Sequence, residues 1–171
     1  MGAPLVLEPR QLATLARAAA VAEPREACGV LIGHAGGGER RVTHLSVGPN
    51  ISRAADRFVL DPAHLLEQAV LAERLGREII GIWHSHVGAP AAPGHLDRAG
   101  TPAGWLSLIV RVDGGALDEV RAWDLDGELD EEAPVHVDVE GAAAREVPTD
   151  RPQLRPPPLA GSVLPGLRLE A

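Results

Sequence analysis

Lysine and tyrosine are absent from this chain of 171 residues, phenylalanine and cysteine occur once each, and aromatic residues make up only 2% of it. With so few rings, the core must be built from Ala, Val, Leu and Ile. All the basic residues are Arg, so no lysine side chain can accept a conjugated protein tag. That bias, together with abundant Ala, Gly and Pro, reads as GC-rich coding rather than as function. Cys28 stands alone, which excludes an internal disulfide and points to a reducing compartment. No apolar run approaches the roughly 20 residues that span a bilayer. The N-terminus also lacks a charged start followed by an apolar run of signal-peptide length. A cytoplasmic protein without a membrane partner is therefore expected. The net charge of −8 and the scattered Arg residues leave no basic surface for phosphates, so a nucleic-acid partner is not expected.

What is present suffices for one domain with a real core, since 45% of residues are hydrophobic. The first helix is expected at Glu8–Val21, with Pro9 in its first turn and Leu12, Leu15, Ala16 and Ala19 on one face. A short buried strand, Ala27–Ile32, is followed by a turn in "GHAGGGE" and a second strand, Arg41–Val47, as a hairpin. "DPAHLLEQAVLAERLG" reads as a helix with Asp61 as N-cap, Pro62 first and Gly76 as stop. Its buried face is expected to be Leu65, Leu66, Ala69, Ala72 and Leu75. "EIIGIW" is a strand leading into His84, 90–93 a loop, and Leu96–Gly100 a short helix. "WLSLIVRV" and "EVRAWDL" are two more strands around a "DGG" turn, and Val135–Val139 is a last edge strand. Residues 1–140 form the domain, and 141–171 a Pro-rich C-terminal tail.

Three of the seven histidines fall in "WHSHVGAPAAPGHLD". Side chains alternate along a strand, so His84 and His86 point the same way and their imidazoles can converge. Asp97 can return as a third ligand after the loop. Two imidazoles and a carboxylate with a fourth position open is the ligand set of a catalytic zinc site. A surface H-x-H pair with no metal is the plainer alternative. A two-histidine, one-carboxylate iron centre also stays open, and bound-metal analysis separates it.

The stretch resembles the zinc site of the JAMM (MPN-plus) metalloproteases, in their bacterial branch. That family's pattern is an early glutamate, then H-[ST]-H, seven residues, Ser, two residues, Asp. His84, Ser85, His86 and Asp97 match; Gly94 stands at the serine position. "PREACGVLIG" places Glu26 at the catalytic glutamate, and "PNISRAADRFVLDPAHL" resembles the segment between hairpin and helix. The resemblance covers about residues 5–125. It implies an α/β fold, a curved, mixed and largely antiparallel sheet sandwiched between helices, related to cytidine deaminases. It implies Zn2+ on His84, His86 and Asp97. It further implies hydrolysis of the amide after a C-terminal Gly-Gly of a ubiquitin-like or sulfur-carrier protein, whose tail threads past the metal as an extended strand. Glu26 would take a proton from the attacking water and return it to the leaving amine. Gly94 removes a hydroxyl that stabilises the developing oxyanion, a loss of about 10²–10³ in rate. The Gly94 N–H, His95 and Arg98 are candidate replacement donors. The alternative is a weak or inactive MPN-type scaffold that keeps its metal. A deaminase would need P-C-x-x-C, which one cysteine excludes. A homodimer is left open.

Overall fold

The computed structural model describes residues 2–127 and 129–139, so the Pro-rich tail lies outside the described residues. Eight strands form a single sheet in the order β7-β6-β5-β4-β2-β3-β1-β8. The strands are β1 (Leu5–Leu7), β2 (Cys28–Gly36), β3 (Glu39–Leu45), β4 (Glu78–Val87), β5 (Leu106–Asp113), β6 (Ala116–Asp124), β7 (Glu131–Ala133) and β8 (Val135–Val137). The sheet is mixed: β4 runs parallel to β5, and β1 parallel to β3 and β8, while the remaining pairs are antiparallel. β7 and β8 flank Pro134. One segment therefore pairs with both ends of the sheet and covers edges that would otherwise invite another chain.

Helix α1 (Pro9–Ala22) begins at a proline, as expected, and buries Gln11, Leu15 and Ala19. Gln11 is a buried polar residue that the apolar periodicity does not reveal. It spans two elements, its Oε1 accepting from Glu8 N–H (2.8 Å) and its Nε2 donating to Val42 O (3.1 Å). α1 packs with Leu31, Trp83, Leu108 and Val110 on one face of the sheet. Helix α2 (Pro62–Arg74) covers the other face, where Ala72, Leu65 and Leu71 meet Val30 and Ile32. The two main helices thus lie on opposite sides, as the family resemblance implies. Asp61 caps α2 by accepting from Ala63 N–H (2.9 Å).

Three details depart from the sequence reading. β2 runs on to Gly36, and the hairpin turn is only Gly37–Gly38, both at positive φ as a tight two-residue loop requires. On α2, Leu66 is 67% exposed, and Ala69 and Leu75 also face outward. Apolar residues occur on more than one side of this helix, so period alone does not select the buried stripe. Finally, β1 and β7 are short strands that the pattern does not announce.

The feature that places the site is a β-bulge in β4. Leu31 and Ile32 are consecutive on β2, yet they pair with Gly81 and Ile79, which leaves Ile80 as an extra residue. Ile79 packs with the α2 cluster, whereas Ile80 and Trp83 both belong to the α1 cluster. The bulge shifts the alternation by one, so Ile82 and His86 line a cleft on the α2 side. An unbulged β4 would send His84 and His86 into the core beneath α1.

Candidate metal centre and its cleft

His84 is 0% exposed, and its Nε2 lies 3.1 Å from His86 Nε2 and 3.1 Å from Asp97 Oδ1. His86 Nε2 is 3.8 Å from Asp97 Oδ2. One ligand atom from each of the three residues falls within 4.8 Å of the others. The strand supplies the two imidazoles on one side, and the loop supplies the carboxylate.

Several contacts bring Asp97 back. Gly88 turns the chain at φ 68°, and its N–H donates to Val112 O (2.9 Å). Ala91 is buried, its N–H donating to Glu119 Oε2 (3.0 Å) and its carbonyl accepting from Trp123 Nε1–H (2.9 Å). Helix α3 (His95–Gly100) then starts, with Asp97 in its first turn. The Gly94 N–H donates to Asp97 Oδ2 (2.6 Å), half of a capping box, and holds the carboxylate towards the histidines.

This donor set fits a divalent cation. The His86 Nδ1–H donates to Pro90 O (2.7 Å), which leaves its Nε2 lone pair directed at the cluster. Burial pushes the His84 imidazole below its ordinary 6.5, outweighing the pull of Asp97, so the ring is neutral as a ligand must be. Burial alone would raise Asp97. The hydrogen bonds to His84 and to the Gly94 N–H outweigh it and hold the carboxyl below its usual range. His84 Nδ1 is buried and has no hydrogen-bond partner among the described residues. Phe58 stacks on this ring instead, with centroids 4.4 Å apart and planes at 21°.

Glu26 stands where β2 begins and lines the same cleft of about 890 Å³ as His86, Asp97, Gly94 and His95. It is 8% exposed, and its carboxyl is pushed up to about 7 by burial first, then by repulsion from Asp97 and Asp56. Ser85 points to the opposite face from its histidine neighbours. Its Oγ accepts from Ala27 N–H (2.8 Å), and its N–H donates to Ala27 O (2.9 Å). The residue between the histidines thus clamps the one next to Glu26.

The remaining candidates separate. Arg98 forms a bidentate pair with Asp130 and does not line the cleft. The Gly94 N–H is committed to Asp97. His95 lines the cleft. Cys28 is fully buried, its thiol pushed up to about 12 by burial and by the Glu26 charge, and it is outside the ligand cluster. Sequence reasoning missed Phe58, Asn50, Glu119 and Trp123. Only Phe58 and Trp123 carried a signal, as rare aromatics in an aromatic-poor chain.

A mixed sheet between helices, with a His-x-His strand end, a returning aspartate and a protonatable glutamate across one cleft, defines an α/β domain with a candidate metal site. The chain belongs to the prokaryotic homologs of the JAB domain, whose family profile matches residues 8–126. It is 34% identical over 103 residues to the desampylase of Pyrococcus furiosus, across 58% of this chain and 66% of that protein. The chain therefore matches just under two thirds of that relative's length. Two solution structures share the fold. A Desulfitobacterium hafniense protein superposes with a TM-score of 0.72 at 23% identity, covering 80% of this chain and 94% of that one. A Salinibacter ruber protein gives 0.60 at 26% identity, covering 81% and 92%. Among the described residues, no helix is long and apolar enough to cross a membrane.

Proposed function

We propose that this protein is a zinc-dependent peptidase or isopeptidase of the JAMM type. Its substrate is the amide after the C-terminal Gly-Gly of a ubiquitin-like or sulfur-carrier protein. The observation that carries the reading is the convergence of His84, His86 and Asp97 within 4.8 Å, in a cleft that also holds Glu26. The similarity to a desampylase supports the choice of substrate class.

His84, His86 and Asp97 would hold the ion, which when bound would supply a Lewis acid and lower the pKa of a water towards about 7. Glu26 receives the proton of the attacking water. Burial, the main cause that raises this carboxyl to about 7 in the metal-free protein, favours its protonated form, so the same group can then pass the proton to the leaving amine. Ser85 fixes the peptide that follows Glu26, and Gly94 orients Asp97. With the Gly94 N–H and Arg98 bound elsewhere, His95 is the donor left to face a developing oxyanion.

The same two commitments favour the second reading, a weak or inactive scaffold that retains metal. Incubation with Gly-Gly-terminated fusions, with and without a chelator, separates the two. Cleavage that is abolished by chelator and by Glu26→Gln supports the hydrolase. A zinc-loaded chain that cleaves no such fusion would refute it.

A further inference from the structure

The sequence stretch beginning "PNISRAADRF" runs from β3 towards α2 and forms one wall of the cleft through Asp56, Arg57 and Phe58. Nothing in the ligand set explains how this irregular wall keeps its place. We propose that Asn50 is the positioning residue that locks it to the backbone of Glu26. The role assigned to Glu26 rests on the hydrolase reading, whereas the lock itself does not.

A side-chain amide offers two N–H donors and two acceptor lone pairs. Asn50 Nδ2 donates to Glu26 O (2.8 Å) and to Arg57 O (3.2 Å). Asn50 Oδ1 accepts from Ser52 N–H (3.0 Å) and Val59 N–H (3.0 Å). All four capacities are used, each on a backbone group. The orientation of the amide is thereby fixed, because the reversed one would set donors against donors and acceptors against acceptors.

The four bonds tie together both ends of the loop and the residue in front of β2. The bridge between Asn50 and Leu60 closes the loop, with Ile51 N–H on Val59 O (2.9 Å), and the Arg25 guanidinium reaches Ser52 O. Phe58, next to both Arg57 and Val59, is then held where it stacks on the buried ring of His84. One side chain thus sets the distance between the wall that covers a metal-binding histidine and the backbone that carries Glu26. No other residue type matches this pattern. Aspartate keeps the acceptor half and sets a carboxylate oxygen against two carbonyls; alanine loses both halves.

The test uses the full chain and four readouts. In Asn50→Ala, amide hydrogen exchange at Ser52 and Val59 should rise by about tenfold or more, since both N–H groups lose their acceptor. In Asn50→Asp it should stay within about threefold of the parent, while the Ala27 amide resonance, which reports the Glu26 carbonyl, should shift in both variants. On a Gly-Gly fusion, kcat should fall about 10–100-fold in both variants with KM nearly unchanged. Zinc affinity by chelator competition should change little, because Asn50 touches no ligand. Unaltered exchange in Asn50→Ala, or an unshifted Ala27 amide, would overturn the lock. Full turnover in Asn50→Asp would overturn the link to Glu26. A parent chain that cleaves nothing would refute the hydrolase reading and leave the exchange results to decide the lock.

Discussion

Removing the charge of Glu26 should make the metal-free protein more stable, and increasingly so as pH rises. Glu26 is 8% exposed and shares its cleft with Asp97. Its carboxyl is raised from an ordinary 4.5 to about 7, chiefly by burial, with repulsion from Asp97 and Asp56 added. The folded state therefore binds this proton more tightly than the unfolded chain does. Below pH 4.5 the group is protonated in both states and costs nothing; between 4.5 and about 7 the penalty accrues, and above 7 it is complete. The gap of about 2.5 pH units, at about 1.4 kcal/mol each, corresponds to an upper bound of about 3.5 kcal/mol, reduced by solvent screening in the open cleft. Glu26→Gln keeps the shape and removes the titration. Urea unfolding in excess chelator at pH 4.5 and pH 8 gives the comparison. The parent should lose about 2–3 kcal/mol more than the variant between the two values. Added zinc offsets the repulsion among the carboxylates, so the gap should narrow. Parallel pH dependences of parent and variant, within about 0.5 kcal/mol, would refute the placement of Glu26 in a desolvated acidic cleft.

Other substitutions probe the remaining parts. Gly94→Ser meets no obstacle, because an added Cβ would sit 3.4 Å from Asp97 Oδ2. As an N-cap it should raise stability by a few tenths of a kcal/mol in urea titrations (about 0.3). If His95 already serves the oxyanion, turnover should rise less than about tenfold; a hundredfold gain would show that the site lacks its donor. Ser85→Ala strands the buried Ala27 N–H and should cost about 1–3 kcal/mol in stability by denaturant unfolding. Asp97→Asn should lower zinc affinity by more than about 100-fold in isothermal titration, beyond the loss typical of a ligand's hydrogen-bond partner. Trp123→Phe removes the bond to Ala91 O and should weaken zinc binding less, about 10-fold, by loosening the loop that returns Asp97.

Much of this molecule is readable from local signals, because those signals are themselves local physics. Pro9, the Asp61–Pro62 pair and Gly76 mark helix ends, since capping and φ preference act within one turn. The run of β5 reads as a strand, and it is one; the structure buries it on both faces, with Leu108 towards α1 and Ile109 against Ala91 and Trp123. The buried stripe of α2 is less legible, because Leu66 and Leu75 satisfy the period equally well and only the sheet decides against them. Asn50 carries no signal at all: its four partners are backbone groups, and backbone groups have no sequence identity.

By itself, the sequence determined the identity and spacing of the candidate ligands, since two histidines flanking one residue on a strand must share a side. Which side they share was decided only by tertiary structure. Ile80 is one residue too many for the pairing of β4 with β2, and the bulge it makes turns the imidazoles away from the core under α1. Alternation has a period of two and no memory of direction, so a single unpaired residue reverses it. Whether a residue is left unpaired depends on the partner strand, not on the strand that carries the histidines.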